Sequence, residues 1–240
     1  MTDDGVIGLG FRAMTELDRS RPMRDQLYAI IRRRIVTGEI LPGQVINEKA
    51  IAAEMGISRT PVRESLKKLS DEGLVDIAPQ AGIYAARISR AQVDEAHIIR
   101  SVLEIENVRR AALRMTPDHE ALLDDIHMRH TRTIERGRYH DAIDLDDAFH
   151  RAIGIVSGLT GLWRLVAISK APLDRCRHMT IPEAGKAEET LRQHRLIFQA
   201  LARRDADAAA AAMKNHLETA YATTSAFLDR HLELTDERSA

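Results

Sequence analysis

Asp146 and His150, in the stretch LDDAFH, stand four residues apart. On a helix that spacing puts both side chains on one face, one turn above the other. A carboxylate and an imidazole so placed suit two ligands of a single metal ion. Two further histidines, His194 and His216, lie 11 residues either side of Asp205. Two antiparallel helices hinged near Asp205 bring them to matching heights. The spacing therefore permits three imidazoles and a carboxylate to converge inside a helical bundle, a common place for metal sites. It permits equally a set of exposed or core-capping histidines, since such pairs arise often in a long helical chain, and spacing alone favours this plainer reading.

A second group of chemistry-bearing residues sits in GISRTPVRESLKK, residues 56–68. Arg59, Arg63 and Lys67 follow at intervals of four, so they form a stripe on one side of a helix while Val62, Leu66 and Leu69 face the other. Taken alone, the stripe is an ordinary solvated face. Its position argues otherwise. Positive charge gathers at the N-terminal end of the helix, where it opposes the helix dipole and costs stability. The guanidinium is a planar fork that grips guanine edges or phosphate oxygens. Residues 21–88 hold 11 Lys and Arg against 8 Asp and Glu, net +3 in a chain of net −1. Arg59 and Arg63 are thus read as reaching for DNA, with Thr60 as a short hydrogen-bonding neighbour.

The elements that must carry these groups can be read from the pattern. Leu27, Ile30, Ile31 and Ile35 keep helical spacing from Met23 to Thr37, with Gly38 as a stop. LPGQVI is a turn. Asn47 caps a short helix through Met55 that Gly56 ends, and Ser58 caps the next, with Pro61 tolerated in its first turn. LVDIA and IYAAR, joined by PQAG, form a small hairpin. Helix, helix, tight turn, helix and hairpin make a winged helix-turn-helix whose third helix is the recognition helix. Beyond residue 88 the pattern is helical throughout. Six helices are predicted near 89–114, 117–136, 140–157, 160–176, 183–204 and 206–231, an antiparallel all-α bundle. The expected organisation is a mobile arm over 1–21, a DNA-binding domain over 22–88, and a helical domain over 89–240. The fold is mainly α.

Composition narrows the class. Hydrophobic residues are 44% and charged residues 30% of the chain, as in soluble globular proteins. Aromatics are 4%, too few for a stacking surface that binds single strands. The single cysteine, Cys176, excludes an internal disulfide. No apolar run is long enough for a bilayer, and acidic residues stand where a signal peptide carries basic ones, so a cytoplasmic protein is expected.

SRTPVRESLKKLSDEGLV followed by PQAG resembles the DNA-binding domain of the GntR family of bacterial transcription regulators, and GEILPGQVINEKAIAAEMGISRTPVRE resembles it throughout. DLDDAFHRAIGIVSG and RQHRLIFQALARRDADAAAAAMKNHL resemble the FCD ligand-binding domain of the FadR-like subgroup. Six helices rather than seven would place that domain with the VanR-like variant. The resemblance implies DNA contacts at Lys49, Arg59, Thr60 and Arg63, and approach of Gly82 in the wing to the minor groove. It implies a homodimer on a near-palindromic operator of double-stranded DNA, acting as a ligand-responsive regulator, most simply a repressor. It also implies that Asp146, His150, His194 and His216 hold a divalent metal ion; imidazole suits zinc, nickel or iron, and the carboxylate widens the choice to manganese. A small carboxylic acid effector would meet the metal and Arg100, whose plain alternative is an intrahelical pair with Glu104. Arg33 and Arg34 are candidates for phosphate contacts or simple exposure. Two rivals remain at this point: a metal-dependent enzyme with an attached DNA-binding domain, against which no general base, nucleophile motif or Gly-rich phosphate loop is found, and a regulator whose metal is purely structural.

Overall fold

The structure is a computed structural model that describes residues 17–18, 20, 22–180 and 185–236. The arm expected over 1–21 falls almost wholly outside the described residues. The chain divides into two compact units, the first Met1–Ile35 with Glu39–Ala86, the second Val36–Gly38 with Arg87–Ala240.

The first unit opens with α1 (Met23–Val36), α2 (Glu48–Glu54) and α3 (Arg59–Asp71). Asn47 caps α2, its side chain accepting from the Lys49 and Ala50 amides at 3.0 and 3.1 Å. Ser58 takes the extended backbone of a cap, but its hydroxyl bonds no helix amide, unlike the expectation. Leu27 and Ile31 of α1, Ile51 of α2, and Val62, Leu66 and Leu69 of α3 are buried. α1 is tied to α3 by the Ser65 hydroxyl, which donates to the Arg24 carbonyl at 3.1 Å, and to the residue after α3 by Tyr28, which donates to the Glu72 carboxylate. The wing is β1 (Val75–Ala78) antiparallel to β2 (Gly82–Ala85), in the register Val75 to Ala85 and Ala78 to Gly82. The segment before α2 extends this sheet, the Ile46 amide donating to the Ile83 carbonyl at 2.7 Å and Ala85 to Gln44 at 2.9 Å. At the wing tip Gly82 has φ +130°, and an added Cβ would lie 3.4 Å from the Tyr84 hydroxyl.

The second unit is helical. It contains α4 (Arg90–Ala112), α5 (Pro117–Glu135), α6 (Tyr139–Ser157), α7 (Leu162–Ser169), α8 (Ala171–Thr180), α9 (Lys186–Ala202) and α10 (Ala206–Arg230). A short 3-10 turn, Leu232–Leu234, follows α10. Among the described residues seven helices therefore stand where six were expected, so the helix number that pointed to the VanR-like variant is not met. The stretch 160–176 breaks at Lys170. Pro172 lacks an N–H and crowds the carbonyl four residues back, so one continuous helix cannot pass through it. α4 packs against α6 on one side and α10 on another, α5 packs on α6 and α9, and α10 on α9. Val108, Leu123, Phe149, Ile153, Ile197, Leu201 and Met213 form the main core between them. Thr116 caps α5 with Pro117 in the first turn, and Asp205 caps α10, accepting from the Ala208 amide at 2.9 Å. The tail returns to the start of the unit, where the Ile88 amide donates to the Leu234 carbonyl at 2.9 Å. No helix among the described residues is long and apolar enough to cross a membrane.

Candidate metal centre and nucleic-acid interface

Three helices of the second unit converge on one point. α6 contributes Asp146 and His150 from successive turns, α9 contributes His194, and α10 contributes His216. All four are buried, and one ligand atom from each lies within 4.8 Å of the others. His194 Nε2 is 3.2 Å from Asp146 Oδ1, and His150 Nε2 is 3.8 Å from Asp146 Oδ2. The antiparallel turn at Asp205 does bring His194 and His216 together, with ring centroids 4.8 Å apart. Phe149 stacks on His194 at 4.3 Å and closes the apolar side.

The donor set is tested by its own hydrogen bonding. Asp146 Oδ1, His150 Nε2 and both ring nitrogens of His194 are buried without a hydrogen-bond partner. Buried polar atoms are rarely left so, because each costs free energy of desolvation that nothing returns. One ligand atom from each residue faces the others, as ligands of one cation do. Two of the three imidazoles have a polar group behind them. His216 Nδ1 is 2.9 Å from Gln193 Oε1. The Gln193 amide nitrogen donates to Glu189 at 2.9 Å, so its oxygen faces the imidazole. His216 therefore donates from Nδ1 and keeps a lone pair on Nε2. His150 Nδ1 lies 2.5 Å from Glu104 Oε2, at an angle outside that of a good hydrogen bond. A carboxylate or amide behind a ligating imidazole fixes its tautomer and raises its basicity. The residues fit a divalent cation.

Electrostatics agree. Burial pushes the Asp146 carboxyl up, but the Arg177 guanidinium and His194 hold it well below the usual carboxylate range. Arg177 Nη1 donates to Asp146 Oδ2 at 2.6 Å. Burial pushes His194 down to about 4 and His216 well below its ordinary value, so both imidazoles are neutral at pH 7, as metal binding requires. Beside the centre is a cavity of about 110 Å³. Asp146 and His216 reach its wall, joined by Arg100, Arg177, Thr190 and Tyr221. Arg100 is buried and donates to Glu104 Oε1 at 2.6 Å, so the intrahelical pair is present and the same guanidinium lines the cavity. Sequence reasoning missed Arg177 and Gln193 and saw Glu104 only as a partner for Arg100. Gln193 precedes a ligand in the chain, a weak signal; nothing local marked Arg177.

In the first unit Arg59, Thr60, Arg63 and Lys67 share the exposed face of α3, where they line a shallow hollow. Lys49 is exposed in the first turn of α2, and Gly82 begins β2. Glu48, which sequence reasoning also passed over, takes both arginines. Arg63 Nη2 donates to its Oε1 at 2.8 Å, and Arg59 bonds the same oxygen. Hydrogen bonds from Arg63, then from Arg59, lower the Glu48 pKa to about 2. Arg34 is held by Glu54 of α2 and Glu39, so it is neither plainly exposed nor free for phosphate.

Comparisons with known proteins cover both units. Residues 23–85 match the model for bacterial regulatory proteins of the gntR family, and residues 95–219 match the FCD domain. The chain is 38% identical over 204 residues to the HTH-type transcriptional repressor RspR of Escherichia coli K12, covering 85% of this chain and 90% of that one. It is 34% identical to an uncharacterised HTH-type regulator of Streptomyces ambofaciens, covering 84% of each. Among solved structures, E. coli McbR/YncC superposes with TM-score 0.75 at 22% identity, over 86% of this chain and 98% of that one. A GntR regulator from Rhodococcus sp. RHA1 superposes with TM-score 0.67 at 20% identity, over 85% and 97%.

Proposed function

The chain belongs to the GntR family, a DNA-binding transcription regulator with an FCD domain, and we propose on that premise that it is a cytoplasmic, ligand-responsive repressor whose effector is a small carboxylic acid bound at a divalent metal ion. Its relatives and structural neighbours are regulators rather than enzymes, which sets aside the metalloenzyme reading. Repression is suggested by the name of RspR, its relative at 38% identity. The observation that carries the sensing role is the convergence of Asp146, His150, His194 and His216 beside a cavity, the first three with buried atoms that lack a hydrogen-bond partner.

These four residues would hold the cation, with Glu104 and Gln193 behind the rings of His150 and His216. A bound cation would supply a positive centre that attracts a carboxylate oxygen. Arg100 and Arg177 place further positive charge at the cavity wall, where a guanidinium meets a carboxylate in its preferred geometry. Thr190 and Tyr221 offer hydroxyls for polar groups on the rest of the acid. The apolar Phe149 behind His194 keeps water from that side.

At the other end of the chain, Arg59, Thr60 and Arg63 of α3 enter the major groove of the operator. Lys49 contacts the backbone and the wing at Gly82 approaches the minor groove. A homodimer reads two half-sites. Ile98 and Val102, one turn apart on α4 and 61% and 65% exposed, offer an apolar face to a second copy. The acid changes DNA affinity only by its differential affinity for the bound and released forms, about 1–3 kcal/mol of coupling.

Metal content of the purified protein tests the centre. About one divalent ion per chain is expected in the wild type, and almost none in His194→Ala. Glu104→Gln should retain the site with affinity weakened about 10–100-fold. Absence of metal from wild-type protein refolded or dialysed with zinc, nickel, iron and manganese would rule the centre out. Complete burial of the ligands also favours a second reading, a structural metal. That reading predicts that chelation unfolds the second unit and that no acid stabilises it.

A further inference from the structure

The arginines assigned to DNA are already engaged in the protein itself. Glu48, the first residue of α2, projects across to α3 and takes Arg59 and Arg63 on one carboxylate. Arg63 Nη2 donates to Oε1 at 2.8 Å and its Nε lies 3.3 Å from Oε2, a two-point grip, while Arg59 bonds Oε1 from the other side. The Glu48 side chain is 12% exposed, whereas those of Arg59 and Arg63 are 48% and 67% exposed. The anion is sunk between two cations that reach past it to solvent.

A guanidinium has five N–H donors. The carboxylate takes Nε and Nη2 of Arg63 and Nη2 of Arg59, and leaves further donors on both exposed side chains. What those donors accept next depends on charge. The N7 and O6 atoms of guanine are neutral acceptors and join such a fork without opposing Glu48. A phosphate brings a negative charge toward a carboxylate that is ionised, since its pKa is held at about 2. The same arginines are thereby made poorer phosphate ligands and better base readers, and their orientation is fixed before DNA arrives.

We infer that Glu48 is a specificity-determining positioning residue, which holds Arg59 and Arg63 for base edges and penalises engagement of the phosphate backbone by those two side chains. This rests on the reading that α3 meets DNA. In its absence the two freed guanidiniums become general phosphate contacts, and affinity rises on any duplex.

The test uses the full-length protein and two duplexes of equal length, one selected by the wild type from a randomised pool and one unrelated. Dissociation constants are measured from about 50 to 200 mM salt, the range over which phosphate contacts dominate the change in affinity. Glu48→Gln should bind the unrelated duplex about tenfold more tightly. Its slope of log K against log salt should steepen by about 1.8, two added phosphate contacts. The selected duplex should gain less, so the ratio of the two constants falls. Glu48→Asp, which keeps the charge, should retain weak binding to the unrelated duplex and guards against a Gln variant that folds poorly. Equal shifts on both duplexes, or none, in both Glu48 variants would overturn the inference, provided Arg63→Ala weakens the selected duplex. If Arg63→Ala binds both duplexes as the wild type does, the assignment of α3 fails and the inference goes with it. The two failures are thus told apart.

Discussion

His130 projects from α5 with its ring 5.6 Å from that of His194, and burial pushes its pKa down to about 3. On α8, burial pushes His178 down to about 4 from an ordinary 6.5. Both are neutral in the fold and take up protons on unfolding. A group with a depressed folded pKa contributes stability that is full above its unfolded value and lost as pH falls toward the folded one. The unfolded chain binds more protons between about pH 6.5 and 4, so stability rises with pH across that window. Chelated protein should therefore show a lower urea midpoint at pH 5 than at pH 7, and His130→Gln should narrow the difference. Equal midpoints at the two pH values would contradict the buried neutral state of these rings. The site residues differ in how visible they were at this scale. Asp146 and His150 announce themselves by spacing. Arg177 does not, because its partner, Asp146, lies on another helix and 31 positions away, beyond any local pattern.

Helix ends decide the architecture of the second unit. Gly158 ends α6 with φ +79°, and a Cβ added there would fall 2.2 Å from Arg114 Nη1. That guanidinium donates to the Ser157 carbonyl at 2.8 Å, so the side chain that would have to move also satisfies the helix end. Gly158→Ala should cost about 1–2 kcal/mol from the left-handed backbone alone. Displacement of Arg114 adds to it, and thermal unfolding reads the sum. A wild-type midpoint in that variant would mean that the turn relaxes without strain. Glycine, proline and the cap at Asn47 made most helix limits legible in the chain. The winged unit was legible for the same reason, since its turns carry Gly56, Gly73 and the PQAG tip. The break at Lys170 was misread although Pro172 was in view. Leu162–Ser169 and Ala171–Thr180 carry continuous apolar periodicity across the break, and periodicity does not record a change of axis. The ion pairs of α3 were hidden for another reason. Glu48 lies 11 and 15 positions before Arg59 and Arg63, and only the angle between α2 and α3 brings it to them.

At the scale of the whole molecule the chain combines a DNA-binding unit of the gntR type with an FCD unit. The first carries net positive charge on a helix surface. The second buries three imidazoles and a carboxylate, with two guanidiniums at the edge of a cavity. Neither feature is required by the fold of its unit. An apolar core in place of the buried polar cluster would avoid the desolvation of its charged groups. A bound cation would account for the cluster, and a ligand that binds only the native protein raises its stability by mass action. The most direct measurement is the thermal midpoint of the full-length protein against sugar acids, hydroxy acids and dicarboxylates, each on metal-loaded and on chelated protein. The account predicts that one class of acid raises the midpoint of the metal-loaded protein, and that chelation abolishes the rise. An acid that stabilises both forms equally, or a metal-loaded protein indifferent to every acid in the panel, would contradict a metal-bound carboxylate effector.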